Sequence, residues 1–501
     1  MNFQDYLNYS NLDAKDYQRN GVEWCIARES PTSEHCRGGI IADEMGLGKT
    51  IMMIGTLLAN FSMPNLIVLP VVLVEQWKEQ FERTTGHSPL IYHGSHKKEV
   101  SVEQLQKTPI VLTTYGTVLT DSQTNDKKLQ QVKWTRIICD EAHHLRNRRT
   151  KIAQSVMKLD CQIKWLVTGT PIQNRINDLY SLFDILSISN KVYTNVDNLF
   201  SIIDKIVMRR TKKQVGIKIP ELTIERVPIT WKNDKERQLS EEVHENFNFS
   251  RKKPDLSSSP NTSSLNTSSP NTSSPNTSSP NTSSPNTSSP NTSSPNPSPT
   301  TPGIILSLML YARQLCVYPS LATKHLGKMK QLGIASPENQ KGISYNSKMD
   351  GVINKIVERK DNHNKKIIFT NFHGEIDHLK ERLQSNGLVV ESIDGRITKR
   401  KRQFVLHQEL DVLILQIKTG NEGLNLQKYN EVYFVTPDWN PKMEDQAIAR
   451  CHRLGQTKPV YVFRFVMSDD RDTKNIQNIE MYSEQIQYNK TEMENSILCK
   501  Q

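Results

Sequence analysis

Three short groups of residues in this 501-residue sequence have the types and spacing needed for phosphate chemistry. The first is Asp43-Glu44-Met45-Gly46-Leu47-Gly48-Lys49-Thr50, set between the apolar runs Ile40-Ile41-Ala42 and Ile51-Met52-Met53-Ile54. That order reads as strand, glycine loop and helix. Gly46 and Gly48 let backbone N–H groups turn toward an anion, and the helix N-terminus adds its positive end. Lys49 is placed to reach β- and γ-phosphates, and Thr50 Oγ1 to hold Mg²⁺. The general phosphate-loop signature wants a glycine where this sequence has Asp43. The second group, Asp140-Glu141-Ala142-His143, follows the apolar run Ile137–Cys139. Carboxylates at a strand's carboxyl end face the crevice where open α/β sheets bind ligands. Asp140 there suits Mg²⁺, directly or through water, and Glu141 suits orienting or deprotonating an attacking water. The third group is Arg450 and Arg453, three apart and so on one face of a helix. Taken alone they could equally be a basic face, or one that touches nucleic-acid phosphate. Gln18, just upstream of the glycine loop, carries an amide that can pair with an adenine edge.

These residues need a frame, and short apolar runs between helical patterns supply it. Ile40–Ala42, Leu66–Leu69, Ile110–Leu112, Ile137–Cys139 and Trp165–Val167 read as buried parallel strands. Val74–Arg83 and Ile176–Leu186 read as helices between and after them, the second with Leu179, Phe183 and Leu186 on its core face. Thr168-Gly169-Thr170-Pro171-Ile172-Gln173-Asn174 follows the last strand and brings hydroxyls and an amide to the crevice. Thr170 and Pro171 also suit the N-cap and first position of a helix. A second set of strands is expected at Lys366–Phe369, Val389–Ile393, Val412–Gln416, Glu431–Val435 and Val460–Val466, with a helix over 375–385. The glycines of Thr419-Gly420-Asn421-Glu422-Gly423-Leu424-Asn425-Leu426 suit close approach to phosphate of ATP or nucleic acid.

Between the two sets lies a five-residue repeat, Asn-Thr-Ser-Ser-Pro, from Asn266 onward. It has almost nothing apolar to bury and is expected to be disordered, with local polyproline-II character. Its Asn-Thr-Ser triplets are formal glycosylation sequons, discounted because no signal peptide is expected at the N-terminus. The chain carries 64 Lys+Arg against 53 Asp+Glu, a net charge of +11, which favours a polyanionic partner. Seven scattered cysteines with no C-x-x-C argue against disulfides and a zinc module, and for a reducing compartment. No apolar run reaches the length of a membrane span. The expectation is an intracellular protein of nucleus or cytoplasm, including a viral host cell, with no membrane partner.

Together these segments resemble the SNF2 family of superfamily 2 helicase-like ATPases. The resemblance rests on Tyr17-Gln18, the DEMGLGKT block at 43–50, Leu66–Pro70 with Gln76-Trp77, Thr113-Thr114-Tyr115, Asp140–His143, Thr168–Asn174 and Arg209-Arg210-Thr211-Lys212. Beyond the repeat it resumes in Arg313-Gln314-Leu315-Cys316, Trp439-Asn440-Pro441 and Gln446–Gln456. Three positions depart from it. Tyr318 stands where the family often has His, Asn421-Glu422 where a Gly is common, and Thr473–Ile476 is a thin counterpart of the brace helix.

The resemblance implies an α/β fold of two RecA-like parallel-sheet domains in tandem with a disordered low-complexity insert between them. The expected division is 1–215 for the ATP-binding domain, 216–256 for a connecting helical segment and 257–302 for the repeat. A helical lead-in at 303–345, the second domain at 346–480 and a tail at 481–501 complete it. It also implies ATP and Mg²⁺ held by Gln18, Asp43, Glu44, Met45, Gly46, Leu47, Gly48, Lys49, Thr50, Asp140 and His143. Lys49, Asp140 and Glu141 act from the first domain, and Arg450 and Arg453 act as fingers on the γ-phosphate from the second. The partner it implies is nucleic acid, foremost double-stranded DNA, along which the motor moves for transcription, repair or remodelling. An RNA helicase and a non-catalytic DNA-binding scaffold are the rival readings. The block at 43–50 and His452-Arg453-Leu454-Gly455-Gln456 weigh against the first, and an intact set of catalytic residues against the second. A minimal motor with a low-complexity insert suits a compact genome such as that of a large DNA virus.

Overall fold

The computed structural model describes residues 15–245, 302–322 with 325, 327 and 329, 346–417, 424–468 and 478–498. The repeat as far as residue 301, Thr419–Gly423 and Thr473–Ile476 lie outside the described residues.

Seven parallel strands form the first sheet, in the order β3-β4-β2-β5-β6-β1-β7. They are β1 (Gly38–Ile41), β2 (Asn65–Leu69), β3 (Leu90–Tyr92), β4 (Ile110–Thr114), β5 (Trp134–Asp140), β6 (Cys161–Val167) and β7 (Val207–Met208). β3 and β7 are only three and two residues long, too short to leave a pattern in the sequence. Alternate strand residues feed two cores. Ile40, Leu66, Ile137 and Leu166 pack on one face, and Ile41, Ile67, Ile138 and Trp165 on the other. Register decides where the chemistry falls. Ile41 pairs with Val167, and Val167 with Asp140, so three strand ends reach the same edge side by side. The glycine loop, the acidic pair and Thr168 therefore emerge next to one another.

A buried ion pair fastens this lobe from beneath. Helix α1 (Asp16–Arg28) ends at Glu29, and the Glu29 carboxylate accepts both arms of Arg136 on β5, each at 2.6 Å. Asn60 and Trp165 also donate to Glu29, at 2.6 and 2.8 Å. Arg136 in turn donates to Asn65 Oδ1 at 2.7 Å. Both charged side chains are fully buried, so each is tolerated only because the other is there.

The second sheet has six parallel strands in the order β10-β11-β9-β12-β13-β8. β9 is Lys366–Thr370, β10 Val390–Ile393, β11 Val412–Gln416, β12 Glu431–Phe434 and β13 Val460–Met467. The sixth, β8 (Leu222–Ile229), comes from the stretch expected to be a helical connection, and pairs along β13 from Leu222↔Val460 to Ile229↔Met467. It is an edge strand, and Glu225, Arg226 and Pro228 mask its pattern. The segment 481–498, expected to be a tail, continues a 20-residue helix (Ile479–Leu498) that spans both lobes. It starts in the second lobe, where Glu480 pairs with Lys348 and accepts from Met467 N at 2.8 Å. It ends on the first, where Met493, Ile497 and Leu498 pack against the core. Near that end Glu494 pairs with Arg209 at 3.1 Å and with Lys442 at 2.5 Å. Among the described residues no helix is long and apolar enough to cross a membrane.

Two predictions follow from buried charge. Arg136→Ala strands the Glu29 carboxylate and lowers lobe-one stability by about 3–5 kcal/mol, read from the denaturant midpoint; Arg136→Lys recovers only part, because it has no fork. In the second lobe, burial pushes the Glu375 carboxyl up to about 7, despite N–H donors from Asn371 and Phe372 and the charges of Lys348 and Arg313. The folded value lies above the unfolded one of about 4.3, so folding binds a proton. The associated stability is fully present below the unfolded value and is lost as pH rises through about 7. Glu375→Gln flattens that slope, which denaturation midpoints at about pH 5 and about pH 8 measure directly.

Candidate active site between the lobes

The glycine loop turns because Gly46 and Gly48 sit in the left-handed region, at φ 91° and 78°. Any side chain at Gly48 would collide with Gln18, whose Nε2 lies 2.4 Å from the place a Cβ would occupy. Helix α2 (Lys49–Ala59) starts directly after the loop. Lys49 Nζ donates to the backbone carbonyl of Asp43 at 2.8 Å. Burial lowers its pKa, opposed by the charges of Glu141, Asp43 and Asp140.

Asp140 ends β5 and is held from two sides. Trp77, on helix α3 (Val74–Thr85), donates its indole N–H to Asp140 Oδ2 at 2.8 Å. Tyr115 donates to the Asp140 carbonyl at 2.7 Å. Neither was singled out from the sequence as a site residue, although Trp77 and Tyr115 stand in segments that carry the family resemblance. The next residue, Glu141, adopts a left-handed φ of 49°, unusual outside glycine, which swings its side chain beside that of Asp140. The two carboxylates divide. Burial and the neighbouring Glu141 raise Asp140 to about 6. Burial would raise Glu141 as well, but His143, Lys49 and Arg450 hold it down to about 2. His143 Nδ1 lies 3.2 Å from Glu141 Oε2 and its ring stacks on His144.

From the opposite lobe comes helix α4 (Pro441–Cys451), begun by Pro441 and capped by Asn440. Arg450 lies in its last turn, whereas Arg453 lies beyond its end, because the chain breaks at His452. The Nε2 of that histidine is 2.7 Å from the Pro220 carbonyl. So the two arginines reach one place by different routes, not along one helical face as expected. They complete a cavity of about 320 Å³ whose other walls include Gln18, Met45, Gly46, Gly48, Lys49 and Thr50 of the loop, Trp77, Asp140 and Glu141. Burial and the charge of Arg450 lower the pKa of Arg453.

Not every expected site residue faces this cavity. Asp43 is fully buried and turned away to accept from Arg210, at 2.5 Å to Nη2 and 2.9 Å to the backbone N–H. Glu44 pairs with Lys212 at 3.1 Å, and Leu47 is core. Gln18 lines the cavity, but its amide N–H donates to the Leu47 carbonyl at 3.2 Å. Thr170 is not a helix cap. The helix starts at Ile176, and Asp178 accepts the N–H groups of Gln173 and Asn174 at 3.0 and 2.7 Å.

The donor set fits a nucleotide with a divalent cation. Lys49, Arg450 and Arg453 are cations suited to phosphate oxygens, and Asp140 and Thr50 are oxygen donors suited to Mg²⁺.

A second polar cavity, about 590 Å³, opens on the first lobe, where Arg146, Arg148, Arg149 and Arg175 outnumber Asp178 and Asp184. Arg146 also donates to Gln173 Oε1, and Asn440 Nδ2 of the other lobe lies 3.5 Å from that same oxygen. This cavity is thus linked side chain by side chain to the start of α4.

Residues 17–191 match the SNF2-related domain family and residues 347–455 the helicase conserved C-terminal domain family. Chromodomain-helicase-DNA-binding protein 8 of Xenopus tropicalis is 25% identical over 96% of this chain and 21% of its own length. An uncharacterised ATP-dependent helicase of Mycoplasma genitalium is 26% identical over 90% of this chain and 40% of its own. The chain spans from 16% to 40% of the length of these and similar curated relatives. The helicase domain of Hef from Pyrococcus furiosus shares the fold, with a TM-score of 0.52 at 16% identity, covering 91% of this chain and 96% of that one.

The Trp77 contact gives a prediction that needs no turnover. Trp77→Phe leaves the packing but removes the N–H that orients Asp140. Mg²⁺-dependent binding of a fluorescent ATP analogue is expected to weaken about 10- to 100-fold in Mg²⁺ concentration, with Mg²⁺-free binding unchanged.

Proposed function

Because the chain belongs to the SNF2 family of superfamily 2 helicase-like ATPases, we propose that it hydrolyses ATP in the interlobe cavity and uses the cycle to move along double-stranded DNA. The observation that carries this reading is that one cavity takes Lys49, Asp140 and Glu141 from one lobe and Arg450 and Arg453 from the other. Transfer of a phosphoryl group to water is mostly positioning and charge stabilisation, so a site completed only when the lobes meet ties the reaction to closure.

In this reading Lys49 and the loop N–H groups hold the phosphates. Mg²⁺ bound at Thr50 and Asp140 would supply charge neutralisation on the phosphate oxygens. Glu141 stands beside Asp140 at the strand end, where its carboxylate faces the phosphate side of the cavity. Its role is to align the attacking water and receive the proton late, as a loose transition state allows. Arg450 and Arg453 meet the charge that develops on the transferred group; Arg453→Ala is expected to lose about 10³-fold or more in kcat.

The nucleic-acid partner is supported by the relatives' designation as DNA-binding proteins and by the arginine-lined cavity on the first lobe. The Arg146–Gln173–Asn440 chain is the physical route by which a phosphate there could bias the lobe that carries the arginines. Grip through phosphates makes binding steeply salt-dependent and weakly sequence-specific. Work on DNA for transcription, repair or remodelling fits a location inside the cell, in nucleus or cytoplasm, which is part of the proposal.

The test is ATP hydrolysis by the purified chain alone and with duplex DNA, single-stranded DNA or RNA, with Glu141→Gln beside it. Stimulation by duplex DNA that is lost in the variant and falls with added salt is expected. Stimulation by RNA alone would replace the reading with an RNA helicase, and no hydrolysis by folded, DNA-binding protein would replace it with a scaffold.

A further inference from the structure

A separate cavity of about 310 Å³ lies against the back of the nucleotide cavity, also between the lobes. Met45 and Ala449 line both, so each belongs to the partition between them. Gly169 lines the back cavity beside that partition. A Cβ there would stand 2.9 Å from Met45 Cγ and 3.5 Å from Lys49 Nζ, the atom placed to hold the terminal phosphate. Nearby, a Cβ on Gly46 would stand 3.5 Å from Lys212 Cε, so Lys212 lies just across the phosphate loop.

The back cavity is built for an anion. Arg209, Arg210, Lys212 and Lys442 line it, as does Asp445; Arg210 is matched by Asp43 and Lys212 by Glu44, while Arg209 and Lys442 share the single carboxylate of Glu494. Arg209 pairs through Nη2 with Glu494, but its Nε and Nη1 are buried with no hydrogen-bond acceptor among the described residues. Such donors are costly to leave unmet, and a small oxyanion satisfies them. The outer rim includes Ile224 on the edge strand β8, about half exposed, so the cavity opens to solvent there.

On the reading that the interlobe site hydrolyses ATP, we propose that this back cavity is a transient binding site and exit route for the inorganic phosphate product. The freed phosphate arises at the Lys49 end of the nucleotide cavity, while ADP still fills the loop side toward Gln18. With the lobes closed, the way out past ADP is blocked, and the way past Met45 and Gly169 leads to Lys212 and Arg209. Met45, unbranched and shared by both cavities, is the side chain whose rotation opens the partition in this route. Phosphate would then leave first, and the loss of its contacts with both lobes would precede ADP release.

The experiment compares two clocks in the full chain with duplex DNA. Rapid chemical quench times cleavage of ATP, and a fluorescent phosphate sensor times appearance of free phosphate. Ile224→Trp narrows the rim without touching the nucleotide cavity, and Ile224→Ala widens it; circular dichroism checks that both fold. Cleavage at the parental rate, with release delayed several-fold in Ile224→Trp and not in Ile224→Ala, supports the route. Release that keeps the parental delay in both variants overturns it. A parent that cleaves no ATP in the quench overturns the hydrolysis reading itself, and the exit route with it.

Discussion

Arg450 and Arg453 are carried by one lobe into a cavity where the other lobe already holds Lys49. The charge of Arg450 adds to burial in pulling Arg453 below its ordinary pKa. Three cations converge on one small space, and two adjacent carboxylates line it with them. A polyphosphate with a divalent cation matches both sets, phosphate oxygens on the cations and the metal on the carboxylate. The rest of the architecture serves that meeting. The register Ile41–Val167–Asp140 sets the loop and the carboxylates at one height on the first sheet. The break at His452 then turns Arg453 off its helix toward them.

Two devices hold the lobes in a relation where the cavity can form. The helix Ile479–Leu498 is rooted by Glu480 in the second lobe and packs its last turns on the first, with Glu494 shared between Arg209 and Lys442. Lys442 is on the same helix as Arg450, so the clasp bears on the element that delivers the finger. The other is the contact of Gln173 with Arg146 and Asn440, which joins the arginine-lined face to the start of that helix. A motor needs such links, because closure at the nucleotide has to be felt where the polymer is held.

Much of this was legible in the sequence, and for a physical reason. Strands buried on both faces leave unbroken apolar runs, and phosphate loops need glycine at fixed places, so the central strands and Lys49, Thr50, Asp140 and Glu141 announce themselves. What stayed hidden had a weaker physical signature. β3 and β7 are too short, and β8 is an edge strand with charged residues and a proline. The clasp helix buries Glu480, Gln487 and Glu494 rather than an apolar stripe, so its pattern reads as a polar tail. Asp43 and Glu44 belong to the motif in sequence but are held by Arg210 and Lys212 and face away from the nucleotide cavity. Position in a motif fixes the backbone path; which side chains point inward depends on partners more than 160 residues away.

The central claim is that residues from both lobes act on one phosphate. It is tested most directly by kcat/KM for DNA-stimulated ATP hydrolysis in a cycle of Glu141→Gln, Arg453→Ala and the double variant. If the two side chains serve a single transition state, the double variant loses little more than the worse single variant, because either loss already disables the shared step. Losses that multiply, so that the double variant falls by the product of the two, would mean that the lobes contribute independently and would contradict the account.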